Sequence, residues 1–92
     1  PGRYSLFMEL LKDFQRGLIS TETFMQCAIL VFSDQPTLIT GCSRFLPRGY
    51  TMGVEEDGSP FIIVPHGVSF TDDDHIKLKA YSQFVNEFML TD

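Results

Sequence analysis

Residues 3–21 read RYSLFMELLKDFQRGLIST, and this stretch decides the fold. Helix-forming residues run from Arg3 to Arg16 without a breaker until Gly17, a residue suited to ending a helix. Ser20 and Thr21 then offer a cap for a second helix, with Glu22 in its first turn. On a wheel of 3.6 residues per turn, Phe7, Leu10 and Phe14 form one apolar stripe and Tyr4, Met8 and Leu11 a neighbouring one. Together they cover about half the circumference, wider than the stripe a surface helix usually buries. The surplus apolar surface is where function is to be sought.

Outward from this stretch, FMQCAILVFS (24–33) is apolar on every side, a pattern that serves a buried helix and a buried strand equally. Asp34-Gln35-Pro36 breaks it and opens a short third helix, which Pro47 and Gly49 stop. Residues 51–70 differ in kind: Gly53, Gly58, Pro60, Pro65 and Gly67 punctuate an extended connector that carries Phe61-Ile-Ile-Val64. Four consecutive bulky apolar residues predict that this piece lies against the helices. Thr71 followed by Asp72, Asp73 and Asp74 starts a last helix, with carboxylates at the positive end of its dipole. The predicted helices span about 3–16, 21–33, 36–46 and 72–90.

The last helix also carries two stripes. Ile76, Ala80, Phe84 and Phe88 follow one another at i, i+4; Leu78, Tyr81 and Val85 form the second. Joined tail to head, residues 88–92 and 1–4 would make one short turn, so the two end helices read as a split hairpin. Packed antiparallel, each sends one stripe into the core and leaves the other beside a cleft. A cleft floored by Met8, Leu11, Leu78, Tyr81 and Val85 suits the apolar face of an incoming helix.

Size and composition narrow the classes. At 92 residues the chain makes a single domain, 1–92, with one modest core. A hydrophobic content of 43% with nine Phe predicts a folded chain. A net charge of −5 argues against a nucleic-acid partner, because phosphate binding calls for clustered Lys and Arg. No apolar run reaches the length of a membrane span, and the N-terminus lacks a secretory leader's charged and apolar regions, as an excised fragment would. Cys27 and Cys42 read as small buried hydrophobes, with a disulfide left open; they lack metal-site spacing. His75 beside Asp72–Asp74, with His66 nearby, raises the thought of a metal or an acid–base pair. The bland reading is an acidic helix start with a solvated His. With no nucleophile elbow, phosphate-cradling loop or zinc spacing, no catalytic residue, metal or cofactor is expected.

The middle of the chain resembles the paired amphipathic helix (PAH) repeats of the Sin-three-type transcriptional corepressors. The resemblance runs through YSLFMELLKDFQRGLIST, VFSDQPTLITG and FLPRGY, between Tyr4 and Tyr50. Tyr4, Phe7, Lys12, Phe14, Ile19, Thr21, Phe32, Pro36, Leu38, Ile39 and Gly41 fit the family pattern. So does its most specific part, the Phe-Leu-Pro-x-Gly-Tyr ending at Phe45–Tyr50. These residues cover the family's second, third and fourth helices. What resembles its first helix is HIKLKAYSQFVNEF at the other end, with Leu78, Tyr81, Phe84 and Phe88 at the apolar positions.

The resemblance implies an all-α, PAH-type four-helix bundle with circularly rearranged helix order and an extended connector. It implies a non-enzymatic, nuclear protein–protein interaction module that binds an amphipathic helix of a transcription repressor or adaptor. The groove carried over by position is Phe7, Met8, Leu11, Leu78, Tyr81 and Val85, with Lys77, Glu9 and Asp13 as rim charges. Closure of the bundle within one chain is favoured, because a connector of about twenty residues adds little closure entropy. The alternatives are that the last helix fills a neighbouring copy, as a domain-swapped homodimer, or belongs to a following repeat. Leu6, Cys27, Ile29 and Leu30 are apolar where the family is usually polar, and Cys42 stands for a usual Phe. The extra surface is expected to lie under Phe61–Val64 or to be shared by two molecules.

Overall fold

The computed structural model describes residues 2–69 and 71–91, with side chains as far as Glu87 in the last helix. Among them the order is α1 (Gly2–Gln15), α2 (Thr21–Val31), α3 (Pro36–Gly41), a 3-10 helix (Cys42–Phe45), β1 (Thr51–Val54), β2 (Pro60–Ile63) and α4 (Asp72–Thr91). The chain is mostly helical, and the connector is not merely extended. It folds into an antiparallel hairpin with Thr51 opposite Ile63 and Val54 opposite Pro60. Asp57-Gly58 turns it, with the Ser59 amide donating to Asp57 Oδ1 at 2.9 Å. Gly58 takes the positive φ of +91° and its amide bonds the Glu55 carbonyl at 3.0 Å, the glycine-ended turn of a longer hairpin loop.

Gly17 ends α1 in the left-handed region, at φ +76°. The Leu18 amide reaches back to the Asp13 carbonyl at 2.9 Å and the Gly17 amide to Phe14 at 3.0 Å, the paired bonds of a Schellman ending. Ser20 caps α2, accepting from the Thr23 amide. α2 then runs antiparallel to α1, so that Phe14 stacks on Phe24 with centroids 4.4 Å apart and Phe7 meets Phe32 at 5.0 Å. The stretch that periodicity left between helix and strand is a helix because it is the central one. Phe24, Met25, Cys27, Ala28 and Val31 are all buried, which needs neighbours on several sides.

The FLPRGY ending explains itself in three dimensions. The Tyr50 amide bonds the Pro47 carbonyl at 3.2 Å, and Gly49 supplies the positive φ of +94° that this turn requires. Tyr50 thereby reaches α2 and donates its hydroxyl to the buried Glu22 at 3.1 Å. Ser43 then clamps β1, donating to the Met52 carbonyl at 2.6 Å and accepting from the Met52 amide at 3.2 Å. The extra apolar surface of the helices was expected to lie under Phe61–Val64 or to be shared by two molecules. Phe61 packs across the hairpin on Gly53, near Thr40 of α3. Ile62 and Val64 rest on the core, and α4 is the element laid along α2. Of the unusual apolar positions, Cys27 and Leu6 are buried, while Ile29 and Leu30 are half-buried against the core.

Candidate functional site

α4 is held by its first turn. Thr71 caps it, accepting from the Asp74 amide at 3.1 Å, while Asp74 Oδ2 accepts from the Thr71 amide and hydroxyl, each at 2.9 Å. This is a reciprocal capping box. The other carboxylate oxygen crosses to α2, where it accepts from Ser20 Oγ at 2.5 Å and Thr23 Oγ1 at 3.0 Å. Asp74 is only 5% exposed. Burial by itself would push its pKa up; the hydrogen bonds from Ser20, Thr71 and Thr23 outweigh that and hold it down at about 2. Sequence reading treated the three acids alike, as helix-start charges. One of them is a buried bolt between two helices.

That bolt sets the rotation of α4. Residues 74, 78, 81 and 85 share one helical face at i, i+4, i+7 and i+11. With Asp74 turned to α2, the face carrying Leu78, Tyr81 and Val85 follows it inward. Val85 is 3% exposed and Leu78 and Tyr81 pack on the core. The outward stripe is Ile76, Ala80 and Phe84, with Ile76 68% and Phe84 56% exposed. Phe88, assigned to the same stripe, lies outside the residues whose side chains are described.

α4 runs antiparallel to α1. Lys77 donates to the Leu18 carbonyl at 2.5 Å beyond the end of α1, and Tyr81 donates to Asp13 farther along it. Desolvation, then the Asp13 carboxylate, push the Tyr81 hydroxyl well above its ordinary pKa. Past Tyr81 the two helices leave an open groove of about 550 Å³, lined by Gly2, Ser5, Leu6, Glu9, Ala80, Tyr81 and Phe84. On the other side of α1, towards α3, lies a second groove of about 700 Å³.

The six residues expected at one groove are therefore divided. Tyr81 lines the α1–α4 groove. Phe7, Met8 and Leu11 line the second one, with Phe7 and Leu11 also buried in the core. Leu78 and Val85 face the core, for the reason Asp74 gives. Of the rim charges, Glu9 lines the α1–α4 groove, Asp13 is held by Tyr81, and Lys77 is occupied by Asp73 at 3.2 Å and by Leu18. Leu6, Ala80 and Phe84 were not expected there. The available signal was Thr71-x-x-Asp74, a capping-box spacing whose acid begins the Leu78–Val85 stripe.

The chemistry of the grooves is apolar contact. Among the described residues no three His, Cys, Asp or Glu side chains converge as a metal site would require, and no helix is long and apolar enough to cross a membrane. Cys27 and Cys42 are buried free thiols, pushed up by burial to about 12 and about 11.

Comparison with known proteins bears on the same elements. The paired amphipathic helix repeat model matches residues 2–46. The chain is 32% identical over 75 residues to the paired amphipathic helix protein Sin3b of Mus musculus, covering 82% of this chain and 7% of that protein. It is 38% identical over 50 residues to the transcriptional regulatory protein SIN3 of Saccharomyces cerevisiae, covering 54% and 3%. The paired amphipathic helix protein Sin3-like 6 of Arabidopsis thaliana is 28% identical over 95 residues, covering 91% and 8%. The chain thus spans less than a tenth of these curated relatives' length. No solved structure matches. No enzyme family is indicated. Residues 2–46, which contain α1, α2 and α3, belong to the paired amphipathic helix repeat family of the Sin3-type corepressors.

Proposed function

We propose that the groove between α1 and α4 receives one amphipathic helix of a transcription repressor or adaptor, so that the chain acts in the nucleus as a non-catalytic docking module. In this reading α4 takes the place of the family's first helix within the same molecule, in circularly rearranged order. Its antiparallel course beside α1 and its bolt to α2 support that placement. The observation that carries the proposal is Phe84, an aromatic left more than half exposed on the wall of an apolar groove. Leu6 stands on the opposite wall.

The size of the effect follows from area. A large aromatic buries 150–250 Å², so covering the exposed half of Phe84 is worth about 2–3 kcal/mol at 25 cal/mol per Å². That is roughly 30- to 150-fold in Kd. Glu9, the charged group on the lining, sets helix direction more than strength. The test is titration of the labelled domain with amphipathic peptides carrying apolar residues at i, i+3, i+4 and i+7, followed by amide shifts. Shifts should cluster on Gly2–Glu9 and Ala80–Phe84, and Phe84→Asp should remove binding while the far-UV spectrum stays helical. Normal binding by Phe84→Asp would exclude this groove.

A second reading is self-assembly, because Tyr4, Leu18, Ile76 and Phe84 are all exposed apolar side chains. A second copy can cover them as a peptide can, through exchange of α4 or through a simple dimer. Sedimentation velocity across a hundredfold concentration range separates the two. A monomer throughout rules out an obligate exchange.

A further inference from the structure

We propose that the outer edge of β2 pairs antiparallel with the same edge of a second copy of this chain, about a two-fold axis at Ile62. This surface lies on the hairpin, and the proposal does not rest on the α1–α4 groove being a docking site. The backbone polarity of the hairpin is fixed twice over. The Glu55 amide donates to the Ser59 carbonyl at 2.8 Å, which makes 55 and 59 a hydrogen-bonded pair. Alternation along an antiparallel ladder then turns the backbone groups of Phe61 and Ile63 towards β1 and those of Pro60, Ile62 and, one residue on, Val64 away from it. Ser43 gives the same answer from the other side. It bonds both the amide and the carbonyl of Met52, the residue opposite Ile62. The free edge of β1 is thus closed by Ser43, whereas among the described residues no hydrogen bond reaches the Ile62 or Val64 backbone.

An open edge fits another extended strand, and its pattern says which one. No Asp, Glu, Lys or Arg stands between Gly58 and Thr71, so the charge that usually guards an edge is missing. Centred on Ile62, residues 60–64 are complementary to themselves. The two Ile62 residues exchange a pair of bonds, and each Val64 amide donates to the other copy's Pro60 carbonyl. The donor that Pro60 lacks costs one bond per copy, at the Val64 carbonyl. A register two residues along would carry Pro60 past the strand, onto the turn where the Val68 amide bonds the Pro65 carbonyl. On the outward face, Phe61 of each copy falls directly opposite Ile63 of the other, in the closely spaced non-bonded position. Ile63 is 55% exposed and Phe61 is half-buried over Gly53, so each covers what the other leaves open. The exposed acids Glu55, Glu56 and Asp57 sit at opposite ends of the paired strands. The two Asp57 residues lie about 34 Å apart at about 3.4 Å per residue, several screening lengths. So short an edge buries less than a standard interface, and the pair forms only as concentration rises.

The test is amide hydrogen exchange of the intact chain at about 20 μM and about 1 mM, with sedimentation velocity over the same range. The Ile62 and Val64 amides should slow about fivefold at the higher concentration, as the sedimenting mass rises towards two copies. The Phe61 and Ile63 amides, already bonded to β1, should not change. Because each copy carries a net charge of −5, added salt should strengthen the pair. Ile63→Lys should abolish both the slowing and the mass increase, and Phe84→Asp should abolish neither. Both side chains are exposed, so these variants keep the fold, as circular dichroism will verify. Unchanged Ile62 and Val64 exchange across the range overturns the proposal. So does a dimer that survives Ile63→Lys, or one lost with Phe84→Asp, which would assign self-assembly to the α4 face. A Thr-Val-Thr-Val-Thr peptide at about 1 mM should leave the dilute sample's Ile62 amide unprotected. If it slows that amide as much as a second copy does, the edge takes any strand and the self-pairing is refuted.

Discussion

Replacing Asp74 by Asn should loosen α4 from the rest of the molecule, and the size of the effect can be worked in two ways. The carboxylate accepts four hydrogen bonds, from Ser20, Thr23 and twice from Thr71. An amide oxygen can keep the pair from α2. The amide nitrogen then faces the Thr71 N–H, donor against donor, and the charge that strengthened every bond is gone. Hydrogen bonds to charged groups are worth about 1.5–3 kcal/mol, so the loss should be about 2–3 kcal/mol. The second route is linkage. A pKa held at about 2, against an ordinary 3.8, corresponds to about 2 kcal/mol at 1.36 kcal/mol per unit. Because the folded-state value is the lower one, this stability is fully present above about pH 5 and lost as pH falls through 4 towards 2. Urea titrations of wild type and Asp74→Asn should therefore differ by about 2 kcal/mol at pH 7 and converge near pH 2. A gap below about 0.5 kcal/mol at pH 7, or one that does not change between pH 6 and pH 2.5, would refute the bolt.

Gly17→Ala should destabilise by about 1 kcal/mol in denaturant melts, since a side chain at φ +76° is strained even though a Cβ there meets no neighbour. Tyr50→Phe leaves the buried Glu22 without that donor and should destabilise by about 1–2 kcal/mol. Cys27 and Cys42, with pKa values of about 12 and about 11, should resist iodoacetamide at pH 8 in the native protein and react together once urea unfolds it.

Local chemistry made much of the helical framework legible. Gly17 marked the end of α1 because a helix ending of this kind needs a residue at home in the left-handed region, and Gly is that residue. Ser20 marked the start of α2 because an unbonded amide two or three residues on needs an oxygen. The FLPRGY ending was legible as a family pattern before its reason was known; the reason is a glycine turn that delivers Tyr50 to Glu22. The hairpin was missed although Asp57-Gly58 announced it. The bulk of Phe61–Val64 is the stronger signal by composition, and the turn before it the stronger by backbone geometry. An apolar run says that a segment is covered, not by which neighbour.

Which stripe of α4 faces out was a different kind of problem, because composition could not decide it. Ile76, Ala80 and Phe84 are as apolar as Leu78, Tyr81 and Val85, and a wheel treats the two sets as equivalent. The tie is broken by a polar group. A carboxylate is buried only where donors wait for it, and Ser20 and Thr23 form such a place at the head of α2. Their own positions are fixed by the capping of α2, a local event 50 residues and more from Asp74 in sequence. Once Asp74 is seated there, the stripe in line with it is drawn into the core, and the opposite one is left to face water or a guest. The surface proposed for binding is therefore set by where the helix is bolted rather than by which face is greasier. Asp74→Asn should accordingly weaken peptide capture in the α1–α4 groove even though Asp74 does not line it.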